Sequence, residues 1–446
     1  MNFTFAIILS LILFVGLVAA YFHRGVFILL MLLPASQFLG FLDPMTIAIK
    51  GVFDIHALIL ILILIAIFTS ISRWPDLRET AFLMPMVIFA LLWLYGVLYP
   101  VMKGYSSLFY AIKGSKEFLT IFSYFAVFFY LRNEKEVRFG WYVVIGLGIY
   151  YSILEMVAQA MGTTLLSNMV YVFRKELFFW KLYPPFWPVI LIAFLHAYYE
   201  HTFAVRHAFL RMGVTSVGLL LTFFRSYLLA TVVSVPLLLF LSRLGMMRTL
   251  GQGFVVAITI SFSIVGIALT IDKGHGSLGA LSENFVFSGI EEFGSQTGGA
   301  LAGREVFAKD RRAILKQSPY FGFGFIDKDS KFGRVVIKHI TGDLLGFIDK
   351  GDVDTALKFG YVGRIVLYGT ALYLVYLLIR LVRARLTPSI SVRALTAATI
   401  VIVFLLVQPV HAALTYSFSL LPLGIVLGLL ERERLIHLRL SREHQK

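Results

Sequence analysis

The chain contains no cysteine. Disulfides, thiolate metal sites and a cysteine nucleophile are therefore excluded, while the compartment is left open. Charge is also scarce. Of 446 residues 15% are charged and 59% hydrophobic, and the mean hydropathy is +0.84. A soluble domain of this size does not carry so much apolar surface. The apolar runs lack the period-2 alternation of barrel strands, which leaves helices as the way across a bilayer. No internal repeat and no low-complexity tail is visible. The first run, 2–21, lacks a basic n-region and a small-residue cleavage site, so it reads as a span and not a removed signal peptide. His and Asp do not cluster at ligand spacing, so neither a metal nor another cofactor is expected.

What is present is a series of apolar runs, most near the roughly 20 residues needed to cross a hydrocarbon core of about 30 Å. They fall at roughly 2–21, 25–43, 53–72, 80–99, 109–131, 138–160, 185–199, 207–223, 225–242, 252–271, 362–379, 395–412 and 415–430. The expected fold is an all-α polytopic membrane protein with 12–13 transmembrane helices. Residues 1–271 and 362–431 hold the spans, 272–361 form one large loop, and 432–446 form a basic tail. Pro236 and Pro409 are expected to kink their helices.

The formal net charge of +15 would suggest nucleic acid in a soluble protein. Here it matches anionic lipid headgroups and the positive-inside rule, and no nucleic acid is expected. Arg73 and Arg78 share one short loop, and Arg132, Lys135 and Arg138 another. Arg206 with Arg211 and Arg243 with Arg248 follow, then Arg380, Arg383, Arg385 and Arg393, and finally Arg432, Arg434, Arg439 and Arg442. Counting helices puts all of these on one side, the cytoplasm. Segment 161–184, the turn at Arg225 and the 272–361 loop then lie opposite.

The large loop opens Gly/Ser-rich and becomes an amphipathic helix over 301–317, stopped by Pro319. At about 3.6 residues per turn, Glu305, Lys309, Arg312 and Lys316 share one face. Arg304 and Arg311 point instead with Phe307, Ala308, Ile314 and Leu315. A guanidinium on an apolar side needs a partner, for which a phosphate or carboxylate serves. Snorkelling to water or pairing with a structural acid explains it equally. Arg225, between two apolar segments, is a functional-site candidate or an interfacial anchor. The run Pro319-Tyr-Phe-Gly322-Phe-Gly324 is not a Walker loop, since its Lys-Ser/Thr partner is missing. It allows close backbone approach, or simply turns aromatics onto the membrane surface. His339, Asp343, Asp349, Asp352 and Asp354 are the loop's candidate general bases, or solvated loop side chains. Within the spans, Glu155, Gln408 and His411 either line a cavity or bond helix to helix; Lys113, Lys116 and Glu117, at the outer start of the fifth span, either snorkel or bind a lipid phosphate.

The ordered set of Arg225-Ser226, Gly303-Arg304, Pro319/Gly322/Gly324 and Gly360/Gly363 resembles the O-antigen ligase and O-antigen polymerase (Wzy-like) superfamily. The resemblance covers residues 225–363 directly, and helix count and loop position agree elsewhere. It implies a GT-C-type glycosyltransferase in the bacterial inner membrane, with the large loop periplasmic. Such enzymes move a glycan from undecaprenyl diphosphate to an acceptor hydroxyl without a metal. Arg225 and Arg304 would hold the diphosphate, with Arg311 assisting. Asp352, Asp354 or His339 would serve as base. The acceptor glycan or lipid, membrane lipids and a chain-length regulator are the partners implied. In the ligases a histidine often precedes the Gly-x-x-Gly; here the stretch reads GDVDTALKFG, and His339 lies well upstream. That departure favours a polymerase of O-antigen or exopolysaccharide over a ligase. A transporter or flippase of lipid-linked sugars is the non-enzymatic alternative, disfavoured by the missing repeat.

Overall fold

The computed structural model describes residues 14–36, 54–161, 170–174, 179–183, 187–203, 208–222, 225–242, 311–327 and 351–444, with a few isolated positions besides. It is a helical bundle. After a helical segment over 14–22 come α1 (Val26–Ala35) and α2 (Ile55–Thr69). A 3-10 segment, Ile71–Glu79, leaves α2 at 88°. Next are α3 (Leu83–Met102), α4 (Leu108–Leu119), α5 (Ser123–Tyr130) and α6 (Glu134–Met161). A short antiparallel hairpin follows, β1 (Val170–Arg174) with β2 (Phe179–Tyr183), Val170 opposite Tyr183. The bundle closes with α7 (Pro188–Thr202), α8 (Ala208–Leu221), α9 (Arg225–Leu241), α10 (Gly351–Arg383), α11 (Pro388–Val407) and α12 (Ser417–Glu443).

Four helices are long and apolar enough to cross a membrane: Leu83–Met102, Glu134–Ala158, Gly351–Arg383 and Pro388–Val407. The bent pair of α2 and its 3-10 segment makes a fifth. The chain is thus a multi-pass membrane protein. On α3 the exposed residues are Met84, Val87, Leu91, Leu94, Leu98 and Met102, spaced three and four apart and all apolar. A helix apolar on its outward face as well as its inward one is solvated by lipid. α11 is buried along almost its whole length and sits against α7, α9, α10 and α12. Its core position leaves no face for lipid.

Three expectations change in detail. The run at 109–131 is not one helix: a 3-10 turn, Thr120–Phe122, separates α4 from α5. Pro409 does not kink a helix, because α11 has already ended at Val407 with Gln408 as its cap. Residues 170–174 and 179–183 add strand pairing to an otherwise helical reading. The run at 252–271 and most of the large loop lie outside the described residues.

Among the described residues, arginine-bearing connections meet at one end; Arg206, Arg243 and Arg248 lie outside those residues. Arg432 donates to Asp76 and to the Arg132 carbonyl, and Arg439 donates to Asp76. Arg393 pairs with Glu433, and Arg383 donates to the Leu241 carbonyl. We call this the basic end and the opposite one the loop end.

Candidate functional site

The loop end is organised by a break in α10. Gly360 has φ 68° and ψ −175°, a conformation essentially confined to glycine. The helix stops there and restarts, so amides and carbonyls are released on both sides of the break. The turn at Pro319–Gly324 takes them up. Phe323 and Gly324 N–H donate to the Leu357 and Lys358 carbonyls at 2.7 and 2.9 Å. Tyr361 and Val362 N–H donate back to the Pro319 and Tyr320 carbonyls at 2.9 and 3.2 Å. The two glycine motifs, widely separated in sequence, are one backbone splice. A Cβ on Gly360 would lie 2.1 Å from the Tyr320 carbonyl oxygen, and one on Gly322 2.5 Å from the Gly360 nitrogen. The turn is anchored further by Phe325, buried against Gly96, Phe118 and Phe359, with its N–H on the Gly96 carbonyl at 2.7 Å. Beyond it, Asp327 and Asp329 pin the chain to Lys113 of α4 at 3.1 and 2.5 Å.

The break also sets the polar side chains. Asp352 and Arg364 are twelve residues apart, which is on the order of 18 Å along a straight helix. Yet Asp352 Oδ2 is 3.8 Å from Arg364 Nη1. Only the turn at Gly360 brings them together. The other Asp352 oxygen is buried with no hydrogen-bond partner among the described residues. Arg364 is also 5.3 Å from the Tyr368 ring. Asp354 is spoken for: its Oδ2 accepts from Lys358 Nζ at 2.7 Å and from Thr415 Oγ1 at 2.8 Å, and its side chain is buried. Gln408 donates to the Gly351 carbonyl and Thr355 Oγ1 and accepts from Leu414 N–H, so it ties the start of α10 to the loop after α11.

Around this core lie Glu117, within electrostatic reach of His56, Lys358 and Asp354, and His56, 2.8 Å from Ser417 Oγ. Asp54 caps α2 through Ala57 N–H and is 3.2 Å from Lys116. Burial pushes the Asp54 carboxyl up, but the Ala57 N–H, His56 and the Lys116 ammonium outweigh it. The carboxyl is held below its ordinary range.

The candidate residues read from the sequence distribute as follows. Asp352 and Asp354 open α10. Arg311 is buried together with Ala308 and Leu315, while Lys309, Arg312 and Lys316 are exposed, as the helical phase requires. Arg225 begins α9. Tyr227, two residues on, stacks at 5.4 Å with His411. Gly351, one residue before Asp352, packs against the His411 carbonyl. The starts of α9 and α10 thus flank the same short loop. Arg304 and His339 lie outside the described residues. Sequence reasoning overlooked Arg364, Lys358 and Thr415. The Asp354–Lys358 spacing of four was a legible helical signal; the approach of Thr415 and of Arg364 had none. Glu155 is fully buried, and neither of its oxygens has a hydrogen-bond partner among the described residues. Among the described residues no three His, Asp or Glu gather as a metal site.

No family model matches the chain, and no curated protein matches it either.

Proposed function

We propose that the chain is a polysaccharide polymerase of the bacterial inner membrane. It transfers a glycan from a polyprenyl diphosphate to an acceptor sugar hydroxyl at the loop end, which faces the periplasm, while the basic end faces the cytoplasm. The observation that carries this reading is the splice of Pro319–Gly324 onto Gly360. It joins two of the motifs that the resemblance orders along the chain, and it ties the turn that follows the Arg311 segment to the break in α10.

Arg225, Arg304 and Arg311 hold the diphosphate. Asp352, with one oxygen unengaged, takes the proton from the acceptor hydroxyl. The acceptor oxygen bonds to the anomeric carbon as the bond from that carbon to the diphosphate oxygen breaks, and polyprenyl diphosphate leaves. Negative charge grows on that leaving oxygen, and fixed guanidiniums at a dry boundary stabilise it strongly. Asp354, held by Lys358 and Thr415, positions the helix start that presents Asp352.

The test replaces forks by point charges. Arg225→Lys and Arg304→Lys each cost about 10²–10³ in rate, the loss typical of one donor at a developing oxyanion. Lys316→Gln and Glu305→Gln, which the helical period of the sequence puts on the opposite face, are nearly silent. The readout is polymer length and amount with protein level alongside. Normal polymer from both Arg→Lys variants overturns the diphosphate clamp. Glycan appearing on a lipid acceptor without lengthening would make the protein a ligase.

A further inference from the structure

The basic end holds an arrangement that the transfer reaction does not use. Four consecutive carbonyls run from the last turn of α5 into the link after it, those of Phe129, Tyr130, Leu131 and Arg132, and three guanidiniums converge on them. Arg73 Nη1 donates to Phe129 at 3.1 Å and Leu131 at 2.7 Å. Arg24 Nη1 donates to Tyr130 at 3.0 Å, and Arg432 Nη2 to Arg132 at 3.1 Å. A helix C-terminus offers about half a negative charge. Arg432 has Asp76 as its counter-ion, but half a charge does not balance Arg24 and Arg73 with the Arg132 side chain beside them.

The nearby carboxylates are engaged elsewhere. Asp76 bonds Arg432 and Arg439, Glu79 pairs outward with Arg439 and Arg442, and Glu136 accepts from the Arg132 backbone N–H. Glu431 is buried against Arg434. Among the described residues no carboxylate stands within ion-pair distance of Arg24, Arg73 or Arg132.

The surroundings fix the depth. The 3-10 segment carrying Arg73 leaves α2 at 88° and exposes Ile71 and Trp74. Tyr21 and Phe22, just before Arg24, are exposed as well. Aromatic rings beside arginines mark the headgroup level of a bilayer. The sole anion abundant at that depth is a lipid phosphodiester.

We propose that Arg24, Arg73 and Arg132 form a binding site for the phosphodiester headgroup of an anionic phospholipid. The lipid supplies the missing counter-charge and clamps the 14–22 segment, the 3-10 segment and the α5 end to one another. This site is independent of the transfer reaction.

The test uses the full-length protein in mixed micelles, with phosphatidylglycerol or phosphatidylcholine at equal mole fraction, and native mass spectrometry to count retained lipid. Retention of phosphatidylglycerol exceeds that of phosphatidylcholine in the wild type. It falls about fivefold for each of Arg24→Gln and Arg73→Gln, the contribution of one arginine near an anionic surface. Arg138→Gln, exposed and paired with Glu134, changes nothing. Phosphatidylglycerol also raises the thermal midpoint, and millimolar inorganic phosphate does not. Equal retention of the two lipids by the wild type overturns the site without recourse to any variant. So does undiminished retention in a folded double variant, and equal stabilisation by phosphate shows a simple anion site instead of a lipid one.

Discussion

Replacing Gly360 by alanine tests the splice on which the site rests. The new Cβ would meet the Tyr320 carbonyl oxygen at 2.1 Å, its carbon at 2.2 Å and the Phe321 nitrogen at 2.4 Å. All three are backbone atoms, so no side chain can swing aside. The φ of 68° adds backbone strain of about 1–3 kcal/mol for a residue with a Cβ. The chain escapes by undocking the turn, which forfeits four inter-segment hydrogen bonds, each worth about 0.5–1.5 kcal/mol. The combined local loss is about 3–9 kcal/mol. Even the lower figure opens the segment more than about 100-fold more often, at tenfold per roughly 1.4 kcal/mol. Hydrogen exchange followed by mass spectrometry on peptides covering 318–325 and 357–363 reads this directly. Gly369→Ala, on the same helix with nothing within 4 Å of its Cβ, gains about 0.5–1 kcal/mol instead. Unchanged protection of both peptides in Gly360→Ala would refute the splice.

Three further outcomes follow from the same geometry. Gln408→Leu strands the Gly351 carbonyl, Thr355 hydroxyl and Leu414 N–H in a dry site; at about 1–3 kcal/mol per orphaned group the thermal midpoint drops, and an unmoved midpoint shows those bonds do not form. Asp354→Ala and Thr415→Val are coupled by about 0.5–3 kcal/mol in a double-mutant cycle, and strict additivity would count against their contact. The Asp54 carboxyl is held below its ordinary range, so its contribution is complete above the unfolded value and is lost as pH falls through the folded one. Asp54→Asn therefore melts below the wild type at neutral pH, and the difference closes in acid; a difference independent of pH would remove the charged cap.

Much of the membrane character was legible in the sequence. Length and apolarity marked α3, α6, α10 and α11 as spans, because a helix in lipid must satisfy its own backbone and bury its run whatever its neighbours are. The amphipathic phase placing Arg311, Ala308 and Leu315 together followed from helical period alone. The Arg-rich connections were assigned to one side by counting spans; among the described residues, those at 71–79, 131–133 and 432–439 meet, while Arg206, Arg243 and Arg248 lie outside them. Period and composition act locally or one residue at a time, so sequence reaches that far. The tertiary structure decided what depends on distant chain segments meeting. Pro319–Gly324 and the Gly360/Gly363 pair read as separate motifs until the break in α10 released backbone groups that the turn takes up. The same break turned Asp352 back onto Arg364. Thr415 and Lys358 converge on Asp354, which separates it from its neighbour Asp352, although both looked alike as loop acids. Identical side chains two residues apart differ in chemistry because packing gives one its partners and leaves an oxygen of the other without any.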